Sequence, residues 1–216
     1  QAAEQHNEPG AFTSFIGYEW TSGPEGNNLH RNIIFRDGKD KADQIVPFSS
    51  YDSLDPEDLW KWMARYEDST GGSLLAIPHH GNLSNGGMFD DVTMSGEPRD
   101  PDYAMRRLTW APVYEVTQIK GDGEAHPMLS TNDEFADYGT WDKGSFGPER
   151  KRPEMLPKEY AREALKRGLA YEASLGVNPF KFGVIGSTDS HTGLSTTEED
   201  NYFGKAPLAE PTADPV

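Results

Sequence analysis

Leu74-Leu75-Ala76-Ile77-Pro78-His79-His80-Gly81 is the stretch on which the fold turns. Leu74 to Ile77 is a short, unbroken apolar run, set off by Gly71-Gly72 before it and Pro78 after it. That length and punctuation predict a buried strand. Two histidines and a glycine follow at once, so the strand ends in polar chemistry. Upstream, Asp55-Pro56 joins an acidic N-cap to a proline at the first helical position, where its missing N–H costs nothing. Leu59, Trp60, Met63 and Tyr66 then recur at helical spacing, and Gly71-Gly72 stops the helix. Further back, Phe12, Phe15, Ile16 and Tyr18 lead into a strand ending at Glu19-Trp20. Residues 21–28 carry turn chemistry, and Leu29 to Phe35 form a second strand. The two fit a hairpin-like pair, and a parallel arrangement fits them as well.

Downstream, Asp100-Pro101 repeats the cap signature before a short helix around Tyr103–Leu108, and Val113 to Ile119 reads as a strand. A third helix is expected from Pro157 to Ser174, with Tyr160, Ala164, Leu165, Leu169 and Ala173 facing inward and Gly176 as its stop. Phe182 to Ile185 is the last strand. Strands alternating with helices point to an α/β layer or barrel. Residues 81–98 and 121–153 are long connections of the kind that carry function in such folds.

The 216 residues fit one domain spanning 1–216, with the Pro/Ala-rich segment 206–216 read as a flexible tail. Apolar residues are 35% and aromatics 11%, enough for a core, yet nothing approaches the roughly 20 apolar residues of a membrane span. A net charge of −16 repels polyanions, so no nucleic-acid partner is expected. With no cysteine, disulfides, thiolate zinc sites and cysteine nucleophiles are all excluded. The chain opens at Gln1 with neither methionine nor signal peptide, and it is expected to be a piece of a longer protein.

The chemistry gathers at strand ends. Glu19 closes the first strand, His30 sits at the start of the second, His79 and His80 follow the third, Glu115 lies within the fourth, and Ser187-Thr188-Asp189-Ser190-His191 follows the last. Imidazoles and carboxylates meeting at one rim make a site for zinc, manganese or iron. Asp189 and His191 are two apart, and on an extended backbone they would project together. Adjacent residues on a strand face opposite ways, so one of His79 and His80 is expected in the site, with His79 favoured and His80 behind it or facing substrate. Glu115 reads as a carboxylate orienting a ligand histidine or as an ion-pair partner of Arg106, Arg107 or Lys120. His126 lies in a glycine-rich loop and is read as a contact on the substrate side. No phosphate-cradling glycine loop and no Gly-x-Ser-x-Gly elbow is present.

The segments Phe15–Thr21, Leu29–Asn32, Ile77–Asn82, Tyr114–Gly121 and Gly186–Gly193 together resemble the domain-of-unknown-function family 3604, a group similar to the PHP (polymerase and histidinol phosphatase) superfamily. The resemblance runs from about residue 10 to 205. It implies a distorted (β/α)7 barrel with two or three metal ions at its rim. Glu19, His30, His79, Asp189 and His191 would be the ligands, and Glu115 would support them. PHP proteins open with an Asp-Leu-His-x-His strand and a Thr-Asp-His segment, neither of which occurs here. The barrel is therefore expected to be incomplete, lacking its first strands, with exposed edges open to self-association. Relatives often carry secretion signals, which makes an exported or periplasmic protein the expectation.

The reaction expected from these residues is metal-dependent hydrolysis, phosphoesterase-like, of a small anionic substrate. Asp189 and His191 would be catalytic, while Arg31 and Lys120 would offset substrate charge. The rival reading is a catalytically incomplete module of the same fold that binds or scaffolds.

Overall fold

Residues 2–191 are described by a computed structural model. Positions 206–216 and the Thr192-Gly193 end of the last motif lie outside them. In chain order the elements are α1 (Ala2–His6), β1 (Ile16–Trp20), β2 (Arg31–Phe35), α2 (Lys39–Ala42), α3 (Pro56–Thr70), β3 (Leu74–Pro78), α4 (Pro101–Trp110), β4 (Val113–Gln118), β5 (Gly121–Asp122), α5 (Ala161–Leu175) and β6 (Gly183–Gly186).

Both cap signatures do what their chemistry predicts. The Glu57 N–H donates to the Asp55 carboxylate at 2.9 Å ahead of α3, and the Tyr103 N–H donates to Asp100 at 2.6 Å ahead of α4. Gly71 ends α3 at φ +64°, a left-handed turn that a side chain would strain.

Two open three-stranded sheets result, in the orders β1-β2-β3 and β5-β4-β6, packed against each other along β3 and β4. In the first sheet both pairings are antiparallel. In the second, β4 is parallel to β6 and antiparallel to β5. The molecule is thus mixed α/β, and no closed barrel forms among the described residues. Only residues 21–30 join β1 to β2, and a parallel crossover takes a dozen residues or more, so this connection closes as a hairpin. Among the described residues both sheets keep open edges, the feature from which self-association is expected.

The main core lies between α3 and the first sheet. Leu59, Trp60, Met63 and Tyr66 are all buried there, against Trp20, Ile33, Phe35, Leu74 and Ala76. The strict alternation of burial along β2 and β3 sends one face of each strand into this core and leaves the other for the site. Each fully buried large side chain contributes about 1.5–3 kcal/mol. A second cluster joins Leu29, Met88, Phe89, Tyr114, Ala161, Ala164 and Phe180 under α5.

In α5 the expected inner stripe is corrected. The helix begins at Ala161, behind a separate 3-10 turn over Pro153–Lys158. Its buried residues are Ala161, Ala164 and Gly168, whereas Leu165, Leu169 and Ala173 face outward. Gly168 seats the helix on the buried Asn178, since a Cβ there would stand 2.2 Å from Asn178 Oδ1. The helix is held close by its small residues, so the leucines turn away.

Candidate metal centre

Register builds the site. Glu19 at the end of β1 lies opposite Asn32 of β2, and Trp20 lies opposite Arg31. His30 immediately precedes β2, and its carbonyl accepts from the His79 N–H at 3.3 Å, just beyond β3. The rim is therefore made from the C-terminal ends of β1 and β3 and the N-terminal end of β2, an antiparallel solution to bringing distant residues together.

Glu19 Oε1 accepts from His30 Nδ1 at 3.0 Å and from His79 Nε2 at 2.9 Å. Those two bonds, His30 first, hold its carboxyl well below the usual range despite partial burial. The His79 ring is buried, and its Nδ1 faces the Ile77 carbonyl at 3.4 Å. Acceptors thus face both ring nitrogens of His79. A cation at Nε2 would take the place of the proton now shared with Glu19, with the Nδ1–H kept on the Ile77 carbonyl, the arrangement common to metal-ligating histidines.

His80 also enters the site, and the expectation that only one of the pair would do so is corrected. It sits past the strand end with φ +59°, left-handed backbone that is rare outside glycine, and this turn swings its ring back beside its neighbour. Ring centroids are 4.5 Å apart for His79 and His80, 5.8 Å for His30 and His79, and 5.9 Å for His30 and His80. One ring nitrogen from each of the three lies within 4.8 Å of the others, so the trio could hold a metal ion.

Burial, then the nearby His79 and Lys120, push the His80 imidazole down to about 2. It is neutral at pH 7 and so keeps one ring lone pair, which a cation would take from the donor that now faces it. Gly81 lets the chain leave this point, because a Cβ there would meet both the Glu159 carbonyl and Tyr114 Oη at 2.4 Å.

Asn28, which the sequence presented only as part of a turn, orders two of the histidines. Its Oδ1 accepts from the His30 N–H at 3.0 Å, which leaves Nδ2 to donate to His80 Nδ1 at 2.8 Å. The three imidazoles could hold a metal ion, with the Glu19 carboxylate hydrogen-bonded to two of them.

From the second sheet come Lys120 and Asp189. Lys120 Nζ lies 3.1 Å from His80 Nε2 and ion-pairs with Asp189, whose Oδ2 is 3.8 Å from the same ring nitrogen. Asp189 has φ +51°, so the expected extended presentation of Asp189 and His191 does not occur. His191 Nδ1 lies 2.9 Å from the Asp189 carbonyl, and its side chain is more than half exposed. Glu19, Asn32, Glu115 and residues 187–191 line one cleft of about 480 Å³. Glu115 is buried in its wall, accepting from Gln118 Nε2 at 2.9 Å, while Arg106 pairs with Glu57 instead.

Two expected substrate contacts lie elsewhere. Arg31 alternates away from His30 into the opposite face of β2, with its guanidinium over the Trp20 ring. His126 is a buried anchor of the long loop: Nδ1 accepts from the Met128 N–H at 3.2 Å, and Nε2 donates to Asp142 at 2.9 Å.

Among the described residues no helix is long and apolar enough to cross a membrane. A search of curated proteins and a search of solved structures each return no match. One family model, described as Protein of unknown function (DUF3604), matches residues 1–215. The chain belongs to that family.

Proposed function

We propose that this protein is a metal-dependent hydrolase of small phosphoesters, built on a PHP-like plan, with Glu19, His30, His79 and Asp189 as metal ligands together with His80. The observation that carries the reading is the convergence of three imidazoles and the Glu19 carboxylate from three separate chain segments. A bound divalent cation supplies Lewis acidity at neutral pH, the chemistry that phosphoester hydrolysis needs. The protein's own groups do the remaining work. Asn28 fixes the direction of the His80 ring, and the Lys120 ammonium beside Asp189 offsets the charge of an incoming phosphate in a chain of net charge −16. We assign His191 the proton for the leaving oxygen, since its side chain is exposed on the cleft wall and an imidazole can both hold and release a proton. Asp189 holds that ring by its carbonyl.

A second reading has one observation in its favour. The Lys120 ammonium stands against His80 Nε2, where a further cation would be repelled. That favours a single ion and a binding role. The deciding experiment loads metal-stripped protein with zinc, manganese or iron(II) and assays a panel of phosphomonoesters and phosphodiesters. Turnover that needs metal and vanishes in His79→Ala is the expected result. Bound metal with no turnover of any ester would leave the binding module, and no bound metal would end both readings.

A further inference from the structure

On the face of β2 opposite the histidines lies a second cavity, of about 370 Å³, into which three arginines converge. Arg31, Arg107 and Arg99 are 1%, 2% and 6% exposed. None of them forms an ion pair among the described residues. Arg31 gives one guanidinium N–H to the Leu29 carbonyl, while its Nε is buried with no partner. Arg99 has both Nε and Nη1 buried and without partners. Aromatic side chains pack beside them: Arg99 lies 4.8 Å from the Tyr103 ring centroid, and Arg107 lies 5.1 Å from that of Phe180 and hydrogen-bonds to the Tyr103 side chain.

Buried guanidiniums of like charge repel one another, and each N–H without an acceptor costs free energy. Burial, with Arg107 adding to it, pushes Arg31 down to about 9, and burial pushes Arg107 down to about 10, so both stay cationic at neutral pH. The acids on the cavity wall are committed elsewhere. Asp55 caps α3, and Asp90 accepts from Lys158 at 2.7 Å.

We propose that this cavity is an anion-binding site for a tetrahedral oxyanion, the phosphate or sulfate group of a small molecule, held by Arg31, Arg99 and Arg107. Planar guanidinium forks match such oxygens, and three guanidiniums on one cavity wall without an ion-pair partner among the described residues are the charge that an anion would balance. The volume is at the small end of ligand pockets, which suits a free anion or a compact ester. The cavity shares no lining residue with the cleft beside the histidines. The site therefore stands whether or not the hydrolase reading does.

The test is calorimetric titration of metal-free protein carrying His79→Ala, which disables the other site, with inorganic phosphate, sulfate and glucose 6-phosphate at constant ionic strength. Saturable binding of one of them is expected, tenfold weaker or more in Arg99→Gln. Inorganic phosphate binding as well as the sugar ester would identify the free anion as ligand, and preference for the ester would identify an organic phosphate. Because Arg99 is buried and its variant can fail to fold, Met94→Glu provides the second arm. Met94 is 45% exposed at the cavity wall, and a carboxylate there repels the anion without touching the core. Absence of saturable binding, or binding that neither substitution weakens, overturns the proposal.

Discussion

At the scale of single residues the site depends on groups that set direction as much as on groups that bind. Asn28 is the clearest case, because one amide serves the His30 backbone and the His80 ring together. Asn28→Ala removes both bonds and leaves the imidazoles in place. Contacts of this kind are worth about 10–100-fold in metal affinity. Zinc titration should show a loss in that range, with the exposed His6→Ala unchanged as control. An Asn28→Ala protein that binds zinc like wild type would mean the His80 ring is held by packing alone. Glu19, His30 and His79 were legible in the sequence because each sits at a strand end beside an apolar run. His80 was not, since strand alternation excludes it, and only its left-handed backbone overrides that rule. Arg31 was misread for the converse reason. Its closeness to His30 in sequence suggested a shared site, yet alternation sends it to the other face.

Elements here meet through close approaches that tolerate little. The chain leaving β3 passes within a Cβ's reach of Tyr114 and of the Glu159 carbonyl at Gly81, and the Gly81 N–H donates to Tyr114 Oη at 3.0 Å. Gly81→Ala should therefore cost about 1–3 kcal/mol by overpacking, read as a lower midpoint in urea. Beside it, Lys151 Nζ donates to both Glu159 carboxylate oxygens at 2.7 Å and to the Asn82 carbonyl at 2.5 Å, closing the long loop onto the β3 exit. Burial pushes the Glu159 carboxyl above its ordinary 4.5, with Lys151 opposing the shift. A raised acid releases its proton later in the folded than in the unfolded state, so stability falls as pH climbs through that interval. Lys151→Met removes the opposing charge and enlarges the fall. The variant should lose about 3–5 kcal/mol at pH 8, and markedly less once pH drops toward the ordinary glutamate value. A loss independent of pH would assign the effect to lost packing. The α3 stripe was legible because large aromatics leave one choice of inner face. The α5 stripe was not, because its inner face is alanine and glycine while its leucines point outward.

For the molecule as a whole, alternation of helix and strand in the sequence gave the α/β class but not the topology. Parallel and antiparallel sheets use the same short apolar runs, and the distinction rests on connection length, here the ten positions 21–30. The consequence is two sheets, with the histidines at the rim of one and Lys120 and Asp189 coming from the other. A cation gathered by His30, His79 and His80 fixes two chain segments that the unfolded chain keeps apart, so binding must stabilise the folded state by mass action. At a free concentration of about 100 times the dissociation constant the gain is about 2.7 kcal/mol. For a domain of this size that raises the melting temperature by roughly 5–10 °C. Differential scanning fluorimetry with zinc or manganese should show that rise, its reversal by chelator, and its disappearance in His79→Ala. Net charge −16 also attracts cations to the surface at large, but such binding is screened by salt and indifferent to a single imidazole. A rise that survives His79→Ala at 0.5 M salt would therefore place the stabilising ion outside the histidine cluster. The expected pattern, lost with the imidazole and retained in salt, belongs to coordination at the meeting point of β1, β2 and β3.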